Sequence, residues 1–284
     1  MSTQDIHFSF ELFPPRTPAG WTNLPKLIGD LATVKPAFFS VTHGAGGSDQ
    51  GGTYEAIIKV IEQTGIEAAP HLTCIGSTRA NIAALLTQYR DAGVKRIVAL
   101  RGDLPATAMS TEAPGEFRYA NELVSFIRET HGEHFTLEVA AYPEMHPQAE
   151  NPQTDFDAYV RKVKAGAHGA VTQYFYNADS YFEFVERSHK AGINIPCVPG
   201  VMPIVNTAQL LRFSTACGAE IPRWVKLRLE SYGEDKASVQ AFGLEVVTRL
   251  SETLLKGGAP GIHFYTLNQA EPTLKLWRNL GLPM

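Results

Sequence analysis

An eight-stranded parallel α/β barrel, the (β/α)8 or TIM-barrel class, is the fold this sequence predicts, as one domain over residues 1–284. Three observations predict it. Eight short apolar runs of strand type recur along the chain, and segments of helical period separate them. Polar residues then interrupt the runs near their carboxyl ends, one run after another. Alternating strands and helices fit a parallel sheet covered on both faces. A doubly wound open sheet has the same alternation, and periodicity does not separate the two.

The strand-type runs are residues 7–13, closed by Pro14-Pro15, then 37–43, 68–74, 96–102, 136–143, 170–176, 195–204 and 261–268. Helical period marks residues 80–92, with Ile82, Leu85, Leu86 and Tyr89 on one face, Ser77 or Thr78 as cap and Gly93 as stop. It also marks 155–165, 180–191, 207–217, 236–255 and 272–280. An Ala-Gly pair precedes three runs, at Ala92-Gly93, Ala165-Gly166 and Ala191-Gly192, and reads as a helix end feeding the next strand. Residues 44–52 read as a glycine-rich loop with neither GxGxxG nor GxxxxGK spacing. The amphipathic stretch 222–232 reads as a lid or a partner contact.

Composition excludes several classes. A net charge of −4 and a pI near 6.1 argue against a nucleic-acid binder, which carries a basic stripe. No apolar run of membrane-spanning length occurs, and residues 1–7 lack the basic-then-apolar pattern of a signal peptide. Cys74, Cys197 and Cys217 are odd in number and far apart, which suits reduced thiols in a cytoplasmic protein.

The strand-end polar residues carry the functional signal, because buried parallel strands should be apolar and barrel active sites sit at carboxyl ends. They are Glu11, Thr42, His43, His71, Thr73, Arg101, Asp103, Tyr142, Glu144, His146, Thr172, Gln173, His263, Tyr265, Thr266 and Asn268. Glu11 lies among Phe8, Phe10, Leu12 and Phe13. It is either the buried partner of an arginine or an acid that donates a proton near neutral pH; the strand-end position favours the acid. Arg101-Gly102-Asp103 reads equally as a turn with an ion pair or as a place where backbone approaches a flat ligand. His71, His146 and Glu144 lack HxH or HExxH spacing, so no metal is expected. Arg161 and Lys162 read as a solvated helix face, or as contacts to an anionic cofactor tail.

Seven segments resemble the methylenetetrahydrofolate reductase family: Phe10-Glu-Leu-Phe-Pro-Pro-Arg16, Ser40-Val-Thr-His-Gly44, Ala69-Pro-His-Leu-Thr-Cys74, Val98-Ala-Leu-Arg-Gly-Asp-Leu-Pro105, Ala141-Tyr-Pro-Glu-Met-His-Pro147, Thr172-Gln-Tyr-Phe175 and His263-Phe-Tyr-Thr-Leu-Asn268. They stand in the family's order across nearly the whole chain. The resemblance implies a barrel with non-covalent FAD, reduced by NADH or NADPH and reoxidised by 5,10-methylenetetrahydrofolate in ping-pong order, supplying methyl groups for methionine synthesis. It makes Glu11 the general acid that opens the imidazolidine ring, and Asp103 the anion that stabilises the resulting iminium cation. Gln173, Asp103, Thr42 and Gln269 fall at folate-binding positions. Thr42, His43, His71, Leu100, Arg101, Gly102, Asp103, Tyr119, Ala120, Tyr142, His146, Ala149, Asp155, Arg161 and Lys162 fall at FAD-binding positions. Gln269 stands where many relatives carry arginine, which removes a cation from the folate tail. The resemblance also implies a homo-oligomer. It is to the short bacterial form, so inhibition by S-adenosylmethionine through a C-terminal regulatory domain is not expected. A flavin-free pterin barrel and a non-catalytic binding paralogue are the rival functions; the presence of both Glu11 and Asp103 counts against the latter.

Overall fold

The computed structural model describes residues 7–43, 50–102 and 115–283, which form a closed parallel barrel ringed by helices. Strands β1 (His7–Leu12), β2 (Phe38–Val41), β3 (Glu67–Thr73), β4 (Arg96–Leu100), β5 (Thr136–Ala141) and β6 (Gly169–Thr172) pair in chain order. The seventh barrel position is divided: β7 (Cys197–Val198) pairs with β6, and β8 (Gly200–Val201) pairs with β9 (Gly261–Tyr265). Pro199 separates the halves because it has no amide hydrogen to give a ladder. Its carbonyl still accepts from His263 N at 3.0 Å. β9 then pairs with β1, setting Ser9 opposite His263 and Glu11 opposite Tyr265. The ring therefore closes, and the open doubly wound alternative is excluded.

With β7 and β8 counted as one divided strand, each strand ends one to four residues before its apolar run does. Apolar patterning reports burial, and burial continues beyond the ladder. Tyr174, Phe175 and Tyr176 are buried although β6 stops at Thr172. Thr42, His43, Arg101, Gly102, Tyr142, Gln173, Thr266 and Asn268 consequently sit on loops over the barrel mouth rather than on strands.

Ten helices occur among the described residues: α1 (Pro18–Ala32), α2 (Gln50–Thr64), α3 (Arg79–Asp91), α4 (Ala120–His131), α5 (Pro152–Lys164), α6 (Ala178–Lys190), α7 (Thr207–Cys217), α8 (Arg223–Ser231), α9 (Lys236–Lys256) and α10 (Ala270–Asn279). The α3 cap is Thr78, whose hydroxyl accepts from Asn81 N at 3.2 Å. The Ala-Gly pairs do end helices. Ala92, Ala165 and Ala191 are the C-caps of α3, α5 and α6, and Gly93, Gly166 and Gly192 follow at φ 82°, 118° and 77°. The loop expected over 44–52 is corrected at its end, where residues 50–52 already belong to α2; residues 44–49 lie outside the described residues. From there on Ala56, Ile57 and Val60 are fully buried, and that packing offsets the low helix propensity of Gly51 and Gly52.

Side chains alternate across each strand. On β1, Phe8, Phe10 and Leu12 face the helices, with Phe8 edge-on to Trp277 of α10 at 4.8 Å. Ser9 and Glu11 face the barrel axis, together with Phe38, Ser40, Ala69, His71, Val98 and His263. At the amino-terminal end Arg96 closes the barrel. It binds Glu67 at 3.1 Å, binds Glu138, and lies over the Phe38 ring at 4.7 Å.

Candidate active site

One cavity of about 1070 Å³ opens at the carboxyl ends of the strands. The sequence folds this way locally because each strand stops short and turns its last polar residues inward over the mouth. Glu11 lies on the cavity floor and is 8% exposed. Its partners are imidazoles, not the arginine considered from sequence. Oε2 lies 3.4 Å from His71 Nε2 and 3.8 Å from His263 Nε2. Burial pushes the His71 imidazole down to about 4; the Glu11 carboxylate opposes this, while His263 and His43 add to it. At neutral pH His71 is therefore uncharged, and its contact with Glu11 is not an ion pair. His263 in turn is held by Ser9 Oγ at 2.7 Å and Ser40 Oγ at 3.4 Å.

Away from this floor the cavity becomes cationic. Arg101, Arg161 and Lys162 all line it. Lys162 is half-buried as a residue, but its ammonium turns inward and donates to Ala140 O on β5. Burial is the largest influence on it and lowers it to about 8; Asp155 opposes, and Arg101 and Arg161 add to the shift. Arg101 donates to Gln148 Oε1 and, at 3.2 Å, to Gly102 O. Asp155 accepts from His146 N at 2.9 Å, tying the loop after β5 to the first turn of α5. The Asn151 side chain starts that helix, accepting from Gln153 N and Thr154 N, both at 3.0 Å.

Thr42, His43, Leu100, Gly102, Tyr119, Ala120, Tyr142, His146, Ala149 and Gln173 line the same cavity. Gly102 has φ 87°, and a Cβ there would approach Ile75 Cγ2 to 2.9 Å, so the turn after β4 requires glycine. Tyr142 meets His146 edge-on at 4.7 Å. Gln173 lines the cavity, and its Oε1 accepts from Tyr174 N at 3.0 Å. One expected position is not in this wall, and another is not described. Asp103 lies outside the described residues. Gln269 is exposed at the N-cap of α10, beyond the cavity lining.

Tyr265, expected from its strand-end position, lines the cavity, and sequence reasoning missed the apolar and aromatic wall beside it made by Met202, Phe213, Cys217 and Tyr174. Phe213 and Cys217 belong to α7, whose periodicity is that of any core-facing helix, so no signal distinguished them. Glu144 is removed from the possible metal set. It lines a separate cleft of about 480 Å³ with Trp224, Phe242 and Arg249, and accepts from Glu220 N at 2.8 Å. Among the described residues no three His, Cys, Asp or Glu side chains converge as a metal group. α8, within the stretch read as a lid or contact, packs on α9 through Trp224 against Phe242 and does not line the main cavity.

No helix among the described residues is long and apolar enough to cross a membrane. The family profile described as methylenetetrahydrofolate reductase matches residues 1–281. The 5,10-methylenetetrahydrofolate reductase of Salmonella typhimurium is 39% identical over 277 residues, covering 98% of this chain and 91% of that one. The Escherichia coli protein of that name is 37% identical with the same coverage. Among solved structures, a Clostridium thermocellum protein that binds two copies of 5-methyl-5,6,7,8-tetrahydrofolic acid superposes with a TM-score of 0.66. It is 14% identical, covers 97% of this chain and 94% of its own, and bears on the fold alone. On the strength of the profile and these relatives, the chain belongs to the methylenetetrahydrofolate reductase family.

Proposed function

We propose that this chain, acting as one catalytic domain in the cytoplasm, reduces 5,10-methylenetetrahydrofolate to 5-methyltetrahydrofolate through bound FAD, with NADH or NADPH as reductant. The product would supply methyl groups for methionine synthesis. One observation carries the reading: Glu11 and the cations Arg101, Arg161 and Lys162 line a single cavity. Family membership supports the same reaction.

The residues present fit FAD. The cavity is at the large end of the range for small-molecule sites. Two guanidinium groups and a lysine suit the two negative charges of a pyrophosphate. Gly102, Ala120 and Ala149 are small enough to let a flat ring lie close, and Tyr119 and Tyr142 give aromatic faces. Bound flavin supplies the hydride and regains its electrons from the nicotinamide nucleotide. The protein's own tasks are binding, orientation and proton transfer.

Glu11 donates a proton to the imidazolidine ring of the folate, which opens to an iminium cation. His71, uncharged in its buried position, is not a cation paired with that carboxyl. Asp103 stabilises the cation electrostatically, and Asp103→Asn is expected to slow folate reduction strongly while leaving nicotinamide oxidation in place. Gln173 and Thr42 hold the pterin. Arg101, Arg161, Lys162 and Asp155 hold the cofactor.

The cofactor part is tested directly. The purified protein should be yellow, or should take up added FAD and melt at a higher temperature when FAD is in excess; FAD at about 100 times its Kd would stabilise the fold by about 2.7 kcal/mol. A colourless protein that ignores added FAD refutes the reading. A pH dependence also follows. The free protein loses the Lys162 proton as pH rises through about 8. FAD binding should therefore weaken above that pH, by as much as about tenfold per unit until the bound form also titrates. Fluorescence titrations should show this decline in the wild type and its absence in Lys162→Met.

A further inference from the structure

The backbone ladder between the first and last strands stops at the Glu11–Tyr265 pair, where the chain still has to present a carboxyl group accurately. Side chains of the β9–α10 loop continue the pairing beyond that point. Thr266 Oγ1 donates to Glu11 O at 2.6 Å and accepts from Asn268 N at 3.2 Å. The Asn268 amide then brackets the next residue but one on β1's side: Oδ1 accepts from Phe13 N at 2.8 Å, and Nδ2 donates to Phe13 O at 2.9 Å. On its other flank the same segment is held by Thr42 N donating to Leu12 O at 3.0 Å.

The geometry of this loop is costly to maintain. Leu267 and Asn268 are consecutive non-glycine residues in the left-handed region, at φ 53° and 54°. Asparagine tolerates that conformation, but leucine does so at a cost of about 1 kcal/mol or more. Such strain persists only where surrounding contacts over-determine it, and here those contacts run to Glu11 and Phe13. Asn268 itself does not line the cavity, whereas Phe13 and Leu267 on either side of it do. A role in touching ligand is therefore replaced by a role in fixing the strand that carries the acid.

We infer that Asn268, working with Thr266, is a positioning residue for Glu11: it clamps the end of β1 across the closure seam of the barrel and so sets where the proton donor stands. The inference rests on the reaction proposed above. It also carries a structural consequence that is independent of that reaction. With the clamp in place, the Phe13 amide exchanges with solvent only when the seam opens.

The variant of choice is Asn268→Gly, which removes the side chain without adding left-handed strain. Two readouts are taken on the full-length protein. The first is hydrogen exchange at the Phe13 amide, expected to quicken by about tenfold or more once its acceptor is lost. The second is anaerobic stopped-flow of the separate half-reactions. Reduction of the flavin by NADH should stay within about twofold of wild type. Reoxidation by methylenetetrahydrofolate should slow by about 30-fold, because a misplaced catalytic group forfeits much of its orientation. Asn268→Asp retains the acceptor for Phe13 N and should restore part of the rate; Thr266→Ser, which keeps the hydroxyl, should remain near wild type, and Thr266→Val should not.

Equal slowing of both half-reactions would make Asn268 a general stability residue and overturn the inference. So would unchanged folate reoxidation, or unchanged exchange at Phe13. If instead the wild type fails to be reoxidised by methylenetetrahydrofolate, the proposed function fails, and the exchange result alone decides the clamp.

Discussion

Glu11→Gln is expected to lower the rate of folate-dependent flavin reoxidation by about 10³-fold, while flavin uptake and its reduction by NADH stay within about twofold of wild type. Glutamine keeps the shape and the hydrogen-bonding reach of the side chain but has no proton to give. The two contacts on the cavity floor, to His71 at 3.4 Å and His263 at 3.8 Å, both involve Oε2, so an amide can occupy the site without rearranging it. The split between half-reactions is the diagnostic part. Hydride delivery from a nicotinamide needs no proton from Glu11, whereas opening of the imidazolidine ring does. Separate anaerobic reduction and reoxidation traces resolve the two. Reoxidation of Glu11→Gln at near wild-type rate would remove Glu11 as the acid.

The largest expected loss of stability lies at the opposite end of the barrel. Arg96 is the cation between Glu67 and Glu138, and the Glu138 side chain is only 9% exposed. Arg96→Met would leave that carboxylate buried without a partner, at a cost of about 3 kcal/mol or more. For a chain of this size the melting temperature should fall by about 6 to 12 °C. Adding Glu138→Gln to Arg96→Met should recover much of the loss, because the buried charge is removed along with its partner. Differential scanning calorimetry of the single and double variants checks this; a single variant that melts within about 1 °C of wild type would show that the plug contributes little. The active-site cavity is at the far mouth, so activity per folded molecule should be retained.

The barrel was legible because a closed parallel sheet demands apolar runs at regular intervals, and eight such runs are present. The divided seventh strand was not, since a single proline in an apolar run changes the ladder without changing the hydropathy. α1 illustrates the other kind of miss. Thr17 and Pro18 form a normal helix start, but Pro25 inside the helix breaks the pattern on which a sequence reading depends. α4 begins at Tyr119 with no side-chain cap to announce it. In the site, Glu11 stood out because a carboxylate among four large apolar side chains needs a reason, and family motifs supplied most of the remaining wall. Asn268 shows the limit: its residue type and strand-end position suggested a cavity-lining group, and only coordinates reveal that both polar atoms are spent on the Phe13 backbone. Gln269, one residue further on, is turned outward by the start of α10.

The central proposition is that one cavity holds a redox cofactor against a proton donor on the first strand. Double-mixing anaerobic stopped-flow tests it most directly: the FAD-loaded protein is first reduced with NADH or NADPH, then mixed with 5,10-methylenetetrahydrofolate while flavin absorbance is followed. Full reoxidation with one 5-methyltetrahydrofolate formed per flavin is the predicted result. Flavin that stays reduced in the presence of saturating folate, or reoxidises without forming the methyl product, would contradict it.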